Sequence, residues 1–206
     1  MEQILHAAVL VAGTWALLAL TAMMVRAHAY GRVGPFASPA GRSAAGVAYV
    51  FGPGMSPLAK ESAREHLPTY FAGVGYHLGI FTSLVFLATL LAGASLAAPF
   101  LRVVQVLSLG GALCGAGLLS KRLITPNLRR LSCPDDYIAN LLTTGLAALA
   151  FATALFPAVQ AAFLAEAAVL FLYAPLGKIK HCFFFFSTRY YLGDHFGRRG
   201  TLPPRI

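Results

Sequence analysis

Residues Tyr137–Gly177 read YIANLLTTGLAALAFATALFPAVQAAFLAEAAVLFLYAPLG, and Glu166 is the only charge among them. A helix crosses the bilayer core with about 20 apolar residues. This run is about twice that length, so it predicts two spans joined by a tight turn near Pro157. Three further apolar runs precede it. Ile4–Val25 predicts a first span, Thr69–Leu96 a second opened by Pro68, and Val103–Ser120 a third. The expected fold class is therefore an all-α membrane protein, a five-transmembrane-helix bundle with spans near 4–25, 69–96, 103–120, 137–156 and 158–181. It forms a single membrane domain over 1–206, with a loop at 26–67 and a tail at 182–206.

The basic residues fix the expected orientation, because Lys and Arg accumulate on the cytoplasmic side. With five spans, Arg26, Arg32, Arg42, Lys60 and Arg64 share a side with Lys121, Arg122, Arg129 and Arg130. Lys178, Lys180, Arg189, Arg198, Arg199 and Arg205 join them, and only Arg102 falls opposite. A four-span reading splits these cations between the two sides and is rejected. The expectation is an N-terminus outside and a cytoplasmic C-terminus, in the inner membrane of a prokaryote.

Composition agrees with lipid as the solvent. Of 206 residues, 58% are hydrophobic and 11% are charged, against roughly a quarter charged in soluble domains. The net charge of +9 sits in short blocks between apolar runs, a pattern of topology signals rather than of nucleic-acid binding. Cys114, Cys133 and Cys182 form no C-x-x-C pair, which gives no support to iron–sulfur ligation or thioredoxin-like chemistry. Ala27-His28-Ala29 imitates a signal cleavage site. The start, Met1-Glu2-Gln3, lacks the positive charge of a leader, so the first run is read as a retained helix. Within the loop, 56–66 has the pattern of a short amphipathic helix. The tail mixes Phe183–Phe186, Tyr190 and Tyr191 with Arg, an interfacial composition.

Ionisable residues inside a membrane are costly and mark candidate function. His77 falls about two turns into the second span, and His181 ends the fifth at a similar depth. Two neutral imidazoles from different helices can ligate a haem iron from opposite faces. Gly73, Gly75 and Gly79 surround His77 and offer room for a flat macrocycle. Lys178 and Lys180 neighbour His181 and offer partners for propionates. The bland alternative is that each histidine hydrogen-bonds a neighbouring helix. Glu166 is a candidate proton acceptor, or else an interhelical structural acid. His6 has no outer partner. His66 lies about three helical turns before His77, but Pro68 interrupts the path, so it is read as a surface or quinone-site residue.

Three stretches carry a family resemblance. Ser56–His66 followed by Gly75-Tyr76-His77-Leu78-Gly79 is the first. Ser120–Pro126 with Arg129 and Asp136 is the second, and Pro175-Leu176-Gly177-Lys178-Ile179-Lys180-His181 the third. Together they resemble the cytochrome b (gamma) subunit of respiratory nitrate reductases. They are still more similar to the membrane subunits of heterodisulfide-reductase-like and sulfite-reduction-associated complexes. The resemblance implies a haem b held by His77 and His181 on the cytoplasmic side. It also implies electron transfer between menaquinone or another quinone and a cytoplasmic iron–sulfur protein subunit, as the quinone-reactive part of a multi-subunit oxidoreductase. Further membrane subunits and lipid are additional expected partners.

The chain departs from the nitrate-reductase pattern at Leu87 and Phe163, where that family carries a second pair of haem ligands. One haem is therefore expected. The chain reaches Ile206 without iron–sulfur cysteines, so the next carrier is expected on another polypeptide, with the basic loops and tail as docking surface. The leading alternative is a haem-free membrane anchor for a cytoplasmic redox subunit. A disulfide-forming quinone reductase needs paired outward cysteines, and a transporter needs broken midplane helices or repeats; neither pattern is present in the sequence.

Overall fold

A computed structural model describes residues 2–30 and 37–204. Arg32 and Arg205, two of the cations used above, lie outside the described residues. The fold is all-helical, 84% helix, with no strand among the described residues. The helices are α1 Glu2–Ala29, α2 Ser43–Phe51, α3 Glu61–Glu65, α4 Leu67–Leu91, α5 Ala98–Ile124, α6 Pro126–Arg130, α7 Pro134–Leu155, α8 Gln160–Tyr173 and α9 His181–Arg198. Short 3-10 turns at Pro53–Met55, Pro57–Ala59, Pro157–Val159 and Lys178–Lys180 link them.

Four helices, α1, α4, α5 and α7, are long and apolar enough to cross a membrane. A fifth crossing exists only if the interrupted pair Pro157–Tyr173 and Lys178–Arg198 counts as one span. The expected continuous helix at 158–181 is thus absent. Helix α8 has 14 residues, about 21 Å, which is shorter than a bilayer core of about 30 Å. Pro175 and Gly177 supply the physical reason. Proline has no amide hydrogen to continue the ladder, and glycine is a poor helix former.

The chain divides into two compact units, 1–19 with 68–179 and 20–67 with 180–206. The first unit has a buried core built from Val9, Phe86, Leu87, Val104, Leu146, Ala150, Phe163, Leu164, Ala167 and Leu170. These come from α1, α4, α5, α7 and α8. Phe86 and Phe163 stack with ring centroids 5.7 Å apart. The Trp15 indole N–H donates to the Leu172 carbonyl at 3.3 Å, tying α1 to α8.

Where α4 meets α5, the packing is backbone on backbone. A Cβ placed on Gly79 would lie 2.5 Å from the Gly111 Cα, and one on Gly75 would lie 3.1 Å from the Cys114 sulfur. Without a large hydrophobic drive between helices in lipid, such close approach through small residues is a main source of association.

In the second unit, helix α2 forms within the expected loop and α9 takes up most of the expected tail. α2 packs on α9 through Gly46, Gly193 and Gly197; a Cβ on Gly46 would lie 2.2 Å from the Gly193 carbonyl oxygen. The Ser43 hydroxyl donates to the Asp194 carboxylate at 2.5 Å, and Arg198 pairs with the same carboxylate at 2.9 Å. The Arg189 guanidinium donates to the Val50 carbonyl at 2.9 Å. Of the amphipathic helix expected at 56–66, only a 3-10 turn and the five-residue α3 form.

Candidate functional site

The azimuth of α4 decides what His77 can do. Tyr76 is buried, and its hydroxyl meets the Thr143 hydroxyl at 2.5 Å, the Thr144 hydroxyl at 2.9 Å and the Asn140 carbonyl at 3.0 Å. That knot holds one face of α4 to α7. Gly75 and Gly79 hold another to α5. At 100° per residue, positions 73 and 77 fall nearly opposite 75 and 79. His77 is therefore turned to the exposed face, in line with Phe71, Val74, Leu78, Phe81 and Val85.

The three glycines around His77 divide by this geometry. Gly75 and Gly79 are filled by α5 and offer no space for a macrocycle. A Cβ at Gly73 would meet nothing within 4 Å. Only Gly73 leaves room beside His77.

The His77 ring is oriented by its own helix. Nδ1 lies 2.7 Å from the Gly73 carbonyl oxygen. A carbonyl only accepts, so Nδ1 carries the hydrogen and the lone pair resides on Nε2 in the neutral ring. An axial haem ligand uses that tautomer, its second nitrogen donating to a carbonyl. His6 and His28 make the same bond to Glu2 and Met24, so the bond sets geometry without singling out His77. The residues fit one axial ligation: a basic nitrogen, an apolar surround, and an open glycine one turn away.

His181 is exposed and opens α9 in the second unit, while His77 belongs to the first. Among the described residues, no group of three or more His, Cys, Asp or Glu side chains comes together as a metal site.

Lys178 has a different environment from the one expected. Its ammonium lies 2.7 Å from the Asp136 carboxylate, which also faces Arg122 at 3.7 Å and accepts from the Cys133 amide at 2.9 Å. Next to it, Tyr173 donates to Asp135, and the Lys178 amide donates to Asp135 at 3.2 Å. The motif residues Asp136 and Lys178, read separately in the sequence, are one ion-paired cluster at the α7–α8 end. Their opposite charges and their places at helix ends were the available signal.

Glu166 is half-buried on α8 with its carboxylate against Gly145 of α7; a Cβ there would lie 2.9 Å from Oε1. It forms no ion pair among the described residues. His66 caps α3 with φ −128° and ψ 45°, so the helix is interrupted before α4 as Pro68 implies. Leu87 and Phe163, at 2% and 0% exposure, are core residues. Lys178, Arg189 and Arg198 are engaged within the chain, which narrows the basic surface available to a partner.

Sequence reasoning overlooked one group altogether. Ala27, His28, Phe184, Ser187, Thr188, Tyr191 and Met24 line a cleft of about 330 Å³ in the second unit. Phe184, the Ser187–Thr188 pair and Tyr191 follow one another at three or four residues, which was a legible sign of one helical face. Comparison of the chain with protein-family models, with curated proteins and with solved structures gives no match.

Proposed function

We propose that this chain is the haem b membrane subunit of a respiratory complex, passing electrons between the quinone pool and a cytoplasmic iron–sulfur partner. The observation that carries the reading is His77: an imidazole on an exposed apolar helix face, its Nδ1–H bound to Gly73, beside an open glycine. Haem b supplies a one-electron carrier whose potential follows from its ligands and burial. His77 and His181 are the proposed axial ligands, and Gly73 gives the macrocycle access.

In this reading, Tyr76 and the Gly79–Gly111 contact hold α4 so that His77 keeps its azimuth. Leu87 and Phe163 fill the core where related subunits ligate a second haem, which supports a single haem. Glu166 is the proposed proton acceptor for quinol, shielded by α7. Lys178 is assigned to holding Asp136 rather than to a propionate. The N-terminus is placed outside and the basic loops in the cytoplasm of a prokaryotic cell, following the distribution of Lys and Arg.

The test is a dithionite-reduced-minus-oxidised spectrum of the purified protein, with His77→Ala and His181→Ala alongside and helicity checked by circular dichroism. A b-type spectrum at about one haem per chain, lost in both folded variants, is the expected result. A folded wild type that binds no haem would leave a haem-free anchor for a cytoplasmic redox subunit.

A further inference from the structure

Beside the close packing of Gly79 on Gly111, an open groove of about 390 Å³ lies between α4 and α5. Pro68 and Ala72 line it from α4, and Leu113, Cys114 and Leu118 line it from α5. Gly117 belongs to the same lining, and a Cβ placed on it would meet nothing within 4 Å. Leu113, Gly117 and Lys121 are spaced one helical turn apart, so the groove follows α5 for about 12 Å.

Lys121 stands at one end of this apolar floor, with Thr69 beside it. The Lys121 ammonium donates to the Thr69 hydroxyl at 2.5 Å. That bond crosses from α5 to α4 and holds the cation over the groove. An ammonium has three hydrogens and a hydroxyl has one, so the pair still offers donors to a ligand that only accepts. The ion pairs among the described residues do not use Lys121, and the residues outside them include no Asp or Glu. The neighbouring Arg122 faces Asp136 instead.

Depth completes the picture. From Arg102 to Lys121, α5 rises about 28 Å, close to a bilayer core of about 30 Å, and no residue between them is charged. Lys121 therefore falls at headgroup level, and the groove leads from it into the hydrocarbon.

We propose that this groove binds one anionic phospholipid, its phosphate on Lys121 and Thr69 and an acyl chain laid along Gly117 and Leu113. A phosphate oxygen accepts and is charged, which matches the donors at the mouth. Ala72, Leu113, Cys114 and Leu118 below it suit a hydrocarbon chain. A free phosphate ion would leave that apolar length unused. A phosphatidylcholine brings the same phosphate with a cation that Lys121 repels, so the preference is for the anionic lipid. The proposal needs only α4 and α5 as membrane spans and does not depend on the haem reading.

The experiment reconstitutes the full chain with equal amounts of dioleoylphosphatidylglycerol and dioleoylphosphatidylcholine. The protein is then passed into a mild detergent and its retained lipids are counted by non-denaturing mass spectrometry, with helicity checked by circular dichroism. Phosphatidylglycerol should be retained about fivefold over phosphatidylcholine. Lys121→Gln should remove that preference, while Arg130→Gln, at an exposed cation outside the groove, should leave it. Gly117→Leu fills the groove where a Cβ meets open space; it should keep the fold and lower retention of phosphatidylglycerol about tenfold. Equal retention of the two lipids by the wild type, or a preference that survives Lys121→Gln, would overturn the proposal. Unchanged retention in a folded Gly117→Leu would overturn it too, because the chain would then lie elsewhere. Sodium phosphate that displaces phosphatidylglycerol where sodium chloride of equal ionic strength does not would assign Lys121 to a free anion and overturn the lipid.

Discussion

Replacing Gly79 with Ala tests whether the α4–α5 contact sets the fold. The added Cβ would lie 2.5 Å from the Gly111 Cα and 2.8 Å from the Leu107 carbonyl oxygen. Carbon atoms settle about 3.5–4.0 Å apart, so the two helices must separate by about 1 Å. Neither obstacle is a side chain that can rotate away. Overpacking of this kind costs about 1–3 kcal/mol, and alanine's better helix propensity returns up to about 1 kcal/mol. With the full return the net loss is up to about 2 kcal/mol, and against a control that gains the same propensity it is about 1–3 kcal/mol. Gly110→Ala is the control, because a Cβ there meets nothing within 4 Å; it should be neutral or slightly stabilising. Unfolding by sodium dodecyl sulfate in mixed micelles, followed by circular dichroism, reads both variants on one scale. Agreement of the two within about 0.3 kcal/mol would refute the claim that backbone contact holds these helices together.

Two further outcomes follow from particular side chains. Tyr76→Phe removes the hydroxyl that joins Thr143, Thr144 and the Asn140 carbonyl, leaving polar groups short of a partner at a cost of about 1–3 kcal/mol. Thermal unfolding should record that loss, and a wild-type transition would mean the knot carries no weight. Lys60 is held below its ordinary value of 10.5, first by burial and then by the nearby Arg189 guanidinium. The unfolded chain thus binds more protons between the lowered value and 10.5, so stability rises with pH across that window. Lys60→Gln should flatten the rise in an unfolding series taken from neutral pH upward, and an unchanged slope would exclude Lys60 as its source.

Four spans were legible because apolar length alone decides them. The run from Pro157 onward was not, because hydropathy counts Pro175 and Gly177 as neutral members of an apolar stretch while the backbone treats them as a stop. Helix α2 was missed for another reason. Ser43–Phe51 is short and rich in small residues, and its order depends on Gly193 and Gly197, far away in the chain. Around His77, the sequence suggested that three glycines made one open face. The offset of two residues between Gly73 and Gly75, and again between His77 and Gly79, places them on opposite sides, and that rotation could have been read from numbering alone. For Lys178 and Asp136 the sequence offered opposite charges at helix ends, and the fold supplied the pairing at 2.7 Å.

The Gly79–Gly111 contact also sets a rule for how this chain can change. A contact made of main chain has no side-chain volume to lose, so truncating mutations, which erode most cores, have nothing to act on there. Every available substitution adds atoms, and the site moves in one direction only, toward separation. The opposite face of α4 obeys the reverse rule. Phe71, Val74, Leu78, Phe81 and Val85 should exchange freely among apolar residues if they meet only lipid, and should resist exchange if they meet a cofactor or another subunit. A saturation library over α4 would therefore draw, from viability alone, the boundary between the side that meets the protein and the side that meets something else.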